Sequence, residues 1–130
     1  MSITIVRLGT PRLVDEGVRI GTVRRPPRGV PKADFASRDF YDVWMPMLAP
    51  SEGLVAMGQH ALDDKAWTMF TRKYRAEMKA PEPSRLLDLL AAFSRHTHMS
   101  VGCYCADEAH CHRSVLRELL IEHGARVREP

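Results

Sequence analysis

The stretch that decides the fold is "MSVGCYCADEAHCHRSVLRELLIEHG", residues 99–124. Its opening residues, 99–104, are small and mostly apolar, which is typical of a buried strand. Residues 112–124 instead repeat apolar side chains at helical spacing and then reach a glycine, which predicts a helix with a glycine stop. A buried strand that passes through a short polar turn into a helix favours a parallel α/β sheet.

The rest of the chain supplies the partners of this unit. Residues 2–8 and 18–23 are rich in β-branched side chains and predict two strands, with Gly21 at a bulge or a close backbone approach. Residues 39–51 predict an irregular or extended segment that leads to a short helix capped by Ser51. Residues 125–129 fit a last short strand.

Two longer helices are predicted between these strands. The first carries an apolar stripe at helical spacing, and the second follows "APEP" with Ser84 as its N-cap. The stripe of the first helix consists of Trp67, Phe70, Tyr74 and Met78. We therefore predict an α/β fold, one compact domain over residues 1–130, with a mostly parallel sheet of about four strands flanked by helices.

Composition limits the class of protein. The chain has 130 residues, 45% of them hydrophobic and 27% charged, which is an ordinary mixture for a soluble domain. No apolar run is long enough to cross a bilayer, and the first residues do not resemble a secretory signal. Three cysteines in one stretch argue against a disulfide framework. These features predict a cytoplasmic protein with reduced thiols and no membrane partner.

Basic residues are concentrated at the start of the chain. Residues 1–32 contain seven Lys or Arg residues against Asp15 and Glu16, although the whole chain carries a net charge of only +3. Such a surplus indicates an anionic partner: nucleic acid, a phosphorylated metabolite or an acidic protein surface. A solvated basic face without a partner is the simpler alternative.

The cysteine-rich turn supplies the candidate catalytic residues. It lies where a strand ends and a helix begins, a place where ligands collect and where thiol pKa values fall. Cys105 and Cys111 are candidate nucleophiles, His112 a candidate acid/base or hydrogen-bond partner, and Arg113 a candidate anion ligand. The spacing does not match the phosphatase or rhodanese loop, in which an Arg follows the Cys more closely.

A structural zinc site at Cys103, Cys105 and Cys111 is an alternative. Cys111 and His112 are consecutive, however, and in a helix their side chains would point about 100° apart. We therefore assign no metal ligand and no cofactor. The plain alternative is that Cys103 is a small core residue and His112 a half-buried side chain on an apolar helix face.

The segment "RRPPRG", residues 24–29, offers three guanidinium groups on a proline-stiffened loop. Arginine binds phosphate or carboxylate through two parallel hydrogen bonds, and a rigid loop reduces the entropy lost on binding. Because side chains alternate along the preceding strand, we expect at most two of Arg24, Arg25 and Arg28 to converge.

The chain resembles the YeaO-like family of uncharacterised bacterial proteins, domain of unknown function 488. The resemblance rests on "RLGTPR", "GVRIGTVRRPPRGVPK", "YDVWMPMLAPSEGLV", the spaced "W..F..KYRAEM" and "SVGCYCADEAHCHRSVLRELL", in that order. It implies a compact α/β domain in a bacterial cytoplasm. It also implies one shared site formed by the Arg/Pro loop, Trp44 and the segment around Cys111, His112 and Arg113. Many such members lack these cysteines, so the thiols are an elaboration of this branch.

Together these features predict binding of a phosphorylated or nucleotide-like anion between the loop 24–28 and the turn 103–113, with thiol-assisted chemistry as an added function. Arg24, Arg25, Arg28, Arg113 and Trp44 are the candidate anion ligands. A module that binds nucleic acid or protein without catalysis is the alternative from another class. The oligomeric state stays open, because Trp44 and its neighbours suit either a core or a dimer face.

Overall fold

The computed structural model describes residues 1–61 and 63–129. Within them, four strands form a parallel sheet: β1 (Ile3–Arg7), β2 (Val18–Gly21), β3 (Val43–Trp44) and β4 (Met99–Cys103). The strand order is β1-β4-β2-β3, so the strand quoted first above is central and pairs on both sides. All five of its residues are buried, as its small apolar sequence predicted. The predicted α/β class with a parallel sheet is confirmed.

Four α-helices accompany the sheet in the described part of the chain: α1 (Glu52–Gln59), α2 (Asp64–Met78), α3 (Pro81–Phe93) and α4 (His112–Glu122). Their apolar faces pack with Ile3, Ile20 and Val101 of the sheet into the main core. A second apolar cluster, around Val6 and Tyr41, lies at the carboxyl ends of the strands and includes Cys103 and Cys111. The cysteine-rich turn is thus held in place by this second apolar cluster, which is separate from the main core.

Gly21 is required where the chain folds over β2. A side chain at this position would overlap the ring of Tyr41, which is 3% exposed and packs directly on the strand. The close approach predicted at Gly21 is confirmed, and it holds the segment after the Arg/Pro loop against the sheet.

Two predicted boundaries are wrong. Helix α3 begins at Pro81, and its N-cap is Ala80, four residues before the predicted cap at Ser84. Proline fits the first helical turn because the N–H groups there have no partner within the helix. The sequence "APEP" therefore starts the helix instead of preceding it.

One strand of the sheet also differs from the prediction. Strand β3 (Val43–Trp44) lies inside the segment predicted to be irregular or extended. The strand predicted near the end of the chain is reduced to an isolated bridge between Val127 and Ile3. The cap at Ser51 is correctly placed, but its hydroxyl donates to Glu77 of α2 instead of capping α1. None of the described helices is long and apolar enough to cross a bilayer.

Candidate active site

A cleft of about 720 Å³ opens beyond the carboxyl ends of β2 and β4. The loop 24–28 forms one wall, α1 forms another, and the turn 103–112 forms the floor. The structure therefore brings together the two segments in which the sequence placed the site. The location matches the preference of ligands for strand ends in parallel sheets.

Three thiols meet on this floor. Cys103 and Cys111 are 2% and 3% exposed, whereas Cys105 is exposed and lines the cleft. The sulfur atoms of Cys103 and Cys111 lie within 4.8 Å of each other, and both thiols influence the pKa of Cys105. Cys105 is thus the solvent-accessible member of a thiol cluster whose other members are buried.

His112 occupies the first position of α4 and is held in one orientation. Its Nε2–H donates to the backbone oxygen of Thr22 over 2.7 Å, which leaves Nδ1 as an acceptor 3.7 Å from the sulfur of Cys111. Burial lowers the pKa of His112 to about 4, although the hydrogen bond to Thr22 raises it. His112 is therefore neutral near pH 7, which favours the predicted role of hydrogen-bond partner over that of a resting acid.

Arg113 is almost completely buried behind the cluster. One of its terminal nitrogens donates to the backbone oxygen of Cys105 over 2.6 Å, and its Nε has no partner among the described residues. The side chain is 4% exposed and does not line the cleft. A permanently charged guanidinium in this position needs a nearby negative charge, and the groups that act on it are the thiols of Cys103 and Cys111 and the carboxylate of Glu108.

The thiol pKa values follow from these contacts. Hydrogen bonds from Cys103 and Cys111 lower the pKa of Cys105, with help from the charge of Arg113 and against burial. The pKa of Cys103 is raised by its hydrogen bonds to the other two thiols and by burial. For Cys111 the hydrogen bond with Cys103 lowers the pKa, but the bond with Cys105 and burial raise it more. The cluster therefore favours one negative charge, placed on Cys105.

The three loop arginines serve different purposes. Arg24 donates to the backbone oxygens of Ala49 and Pro50, each over 3.1 Å, and so braces the loop against the start of α1. Arg25 forms an exposed ion pair with Glu52 across the cleft rim. Arg28 is exposed and lines the cleft without a partner among the described residues. All three line the cleft, but Arg24 is tied to backbone oxygens whereas Arg25 and Arg28 are exposed.

Tyr104 connects the loop to the turn, a role for which the sequence contains no signal. Its hydroxyl donates to the backbone oxygen of Arg25 over 2.9 Å, and burial raises the pKa of Tyr104. Trp44, a predicted site residue, instead donates from Nε1 to the backbone oxygen of Val23 over 2.8 Å and does not line the cleft. Trp44 shapes the loop from behind.

Trp67 of α2 also lines the cleft and was missed as a site residue. Its spacing with Phe70 and Tyr74 indicated a core stripe, and those two side chains are indeed buried. The signal that distinguishes Trp67 is tertiary: it lies at the amino end of the stripe, next to His110 of the turn.

Residues that could hold a metal ion lie in the same cluster. Ligand atoms of Cys103, Cys111 and His112 all lie within 4.8 Å of one another. The expectation that Cys111 and His112 point apart was wrong, because Cys111 is extended (φ −132°, ψ 153°) and only His112 is helical. Their 3.7 Å separation is close to the roughly 3.6 Å expected for tetrahedral sulfur and nitrogen ligands on zinc.

Three of the seven basic residues in the first quarter of the chain form ion pairs among the described residues. Arg12 pairs with Asp42, Arg19 with Glu16 and Arg25 with Glu52. The predicted basic surplus is thus partly neutralised, which reduces the charge available to phosphates of a nucleic acid. A nucleic-acid-binding or protein-interaction module stays a prediction, with salt-sensitive binding as its test.

The fold and the site define a single α/β domain with a thiol-lined cleft at the carboxyl ends of a parallel sheet. The chain belongs to the DUF488 family: residues 3–124 match the family model DUF488-N3a, described as the active DUF488-N3 subclade. The resemblance predicted from the sequence is thereby confirmed. Comparison with curated proteins and with solved structures gave no significant match.

Proposed function

We propose that this protein is a cytoplasmic bacterial enzyme that binds a phosphorylated or nucleotide-like anion in the cleft and attacks it with the thiol of Cys105. The observation that carries the proposal is the buried Arg113 beside a thiol cluster that reaches the cleft through Cys105. The description of the subclade as active agrees with retained chemistry. A reducing cytoplasm suits three unpaired cysteines.

Cys105 is the best nucleophile of the three because it alone is exposed. Its sulfur would give an electron pair to an electrophilic atom of the ligand, and the leaving group would depart with the pair of the broken bond. Water would then cleave the sulfur-bound intermediate and release the thiol. The contact between the buried Cys111 and the neutral His112 fixes the floor of the cleft next to this sulfur.

Arg25 and Arg28 would bind the anion at the rim of the cleft, where both guanidinium groups face the ligand space. Arg24 acts through the loop that it braces. Arg113 acts from behind the floor, as a charge that stabilises the sulfur anion and not as a direct ligand.

The anion site is tested by the shift of melting temperature that inorganic phosphate produces. We expect Arg28→Ala to reduce this shift and Arg72→Ala, which changes an exposed arginine of α2 outside the cleft, to leave it intact. An unchanged shift in both Arg28→Ala and Arg113→Ala would exclude the anion site.

The nucleophile is tested with iodoacetamide and mass spectrometry of the native protein. One equivalent should add rapidly to Cys105 at pH 7, and Cys105→Ser should abolish this fast phase while Cys103→Ser keeps it. Fast labelling that persists in Cys105→Ser would remove Cys105 from this role.

A structural site for a soft divalent ion such as zinc is a second candidate for the same cysteines, Cys103, Cys105 and Cys111, now with His112. The close ligand atoms and the fixation of His112 by Thr22 favour it, because metal-binding histidines often donate their other N–H to a backbone carbonyl. Elemental analysis after dialysis against a weak chelator separates the two functions. Stoichiometric zinc would support the metal site, and its absence would leave the thiols to catalysis.

A further inference from the structure

The cleft has two chemically different ends. Its charged lining residues lie on the loop and at the start of α1: Arg24, Arg25, Arg28 and Glu52. The opposite end is lined by uncharged side chains of α1 and α2, among them Val55, Ala56 and Trp67. A small anion would occupy the first end alone, so the second end calls for a further part of the ligand.

Trp67 gives this second end its character. Its indole ring stacks on Phe70, with ring centres 4.8 Å apart and planes 18° from parallel, and meets the ring of His110 edge-on at 5.8 Å. Both rings line the cleft, but Phe70 is 3% exposed and belongs to the main core, whereas Trp67 is half-buried. The indole plane is therefore fixed by a rigid neighbour while part of the ring faces the ligand space.

The wall beside Trp67 is suited to a flat group. Ala56 and Gly58 place little side-chain volume on the cleft side of α1, and Gln59 at the end of this helix is exposed and lines the cleft. A carboxamide can both donate and accept hydrogen bonds at the edge of a planar heterocycle. The whole cleft, about 720 Å³, lies in the size range of small-molecule sites.

We propose that the end of the cleft formed by Trp67 and Gln59 binds a nucleobase, so that the ligand is a nucleoside phosphate whose phosphate lies at Arg25 and Arg28. Base-aromatic stacking is tolerant of base identity because every base has a π-face, so Trp67 supplies affinity and Gln59 supplies what selectivity there is. The inference deepens the proposed function and rests on it only for the phosphate end.

The experiment measures binding of three compounds by isothermal titration calorimetry: AMP, ribose 5-phosphate and adenosine. AMP should bind at least about tenfold more tightly than ribose 5-phosphate, within the range for stacking of one base. Trp67→Ala should remove this difference by weakening AMP alone, and Trp67→Phe should restore part of it. Arg28→Ala should weaken AMP and ribose 5-phosphate alike.

Met69→Ala is the matched control, because Met69 lies on the same helix, is exposed and does not line the cleft. It should leave all three affinities unchanged, and thermal melts should show that each variant is folded. Equal affinity of AMP and ribose 5-phosphate, or equal losses of both in Trp67→Ala, would overturn the nucleobase site alone. Trp67-dependent binding of adenosine without any binding of ribose 5-phosphate would uphold that site and overturn the phosphate site. No binding of any of the three would overturn both.

Discussion

Two buried arginines lie at opposite ends of the same sheet and have opposite surroundings. Arg19 is fully buried, and its guanidinium donates to both carboxylate oxygens of Glu16, over 2.6 and 2.8 Å, and to the backbone oxygens of Thr10 and Asp39. Glu16 in turn accepts a hydrogen bond from Ser100 of the central strand. Every charge in this group has a partner of opposite sign.

Arg113, at the carboxyl end of that strand, forms no ion pair with a carboxylate among the described residues, although the charge of Glu108, which pairs with Arg117, acts on it. It keeps an unpaired Nε, one backbone acceptor and the sulfur atoms of the thiol cluster. A buried cation in an ion pair with a carboxylate stabilises the fold, whereas one without such a pair, placed beside thiols, favours the charged form of a thiol. Arg19 therefore supports the fold, whereas Arg113 acts on the reactive thiols.

The largest expected effect concerns the framework. Glu16→Ala removes the partner of Arg19 and leaves its charge buried, which should lower the free energy of unfolding by roughly 3–5 kcal/mol. Urea denaturation at pH 7 measures it, with Asp15→Ala, an exposed neighbour that pairs with Arg128, as the control. A loss below about 1 kcal/mol would mean that the pair does not support the fold.

The next largest effect is on the pH dependence of the free energy of unfolding, to which His112 in one region and Glu16 in the other contribute in different pH ranges. The pKa of His112 is lowered from 6.5 to about 4, so the unfolded chain binds a proton in this window that the folded protein does not. The contribution of His112 to the free energy of unfolding is therefore fully present above pH 6.5, and it falls by about 3 kcal/mol as the pH drops to 4. His112→Gln should flatten the curve of unfolding free energy in that range.

Glu16 acts in a lower window. Its pKa is also lowered from the usual 4.5, because the hydrogen bonds from Arg19 and Ser100 outweigh burial. Its contribution is present above pH 4.5 and is lost as the pH falls through its folded-state pKa.

A wild-type curve of unfolding free energy without any loss between pH 6.5 and 4 would contradict the assignment of a buried, neutral His112.

A smaller effect tests the charge at Arg113. Arg113→Gln should slow alkylation of Cys105 by iodoacetamide about tenfold at pH 7, because the sulfur anion loses its buried counter-charge. Arg113→Lys should retain part of the rate. Arg75→Gln, which removes ion pairs between α2 and α4 away from the turn, should keep the wild-type rate. Equal rates in all four proteins would show that Arg113 is merely structural.

The comparison of Arg19 with Arg113 also shows which features of the molecule could be predicted from the sequence. The strand, turn and helix of residues 99–124 could be predicted because each has a local pattern, and so could the meeting of the loop and the turn at the strand ends. The pairing of Glu16 with Arg19 could not, since an i, i+3 pair of charges is common on surfaces and only the tertiary fold buries this one. The closeness of Cys111 and His112 was missed because it depends on an extended residue just before the helix.

The smallest expected effect on stability concerns the ion pair at the rim of the cleft, which is exposed whereas the pair of Arg19 and Glu16 is buried. The ion pair of Arg25 and Glu52 is exposed at 75% and 64% of its two side chains, so Glu52→Gln should change the free energy of unfolding by less than about 0.5 kcal/mol. The same substitution should nevertheless tighten phosphate binding severalfold, because the Glu52 carboxylate competes with the ligand for Arg25. Titration calorimetry with inorganic phosphate measures it, and weaker binding in Glu52→Gln would show that Glu52 positions Arg25 for the anion instead of competing with it. An arginine whose carboxylate partner is exposed can exchange that partner for a ligand, whereas Arg19, sealed against Glu16, cannot.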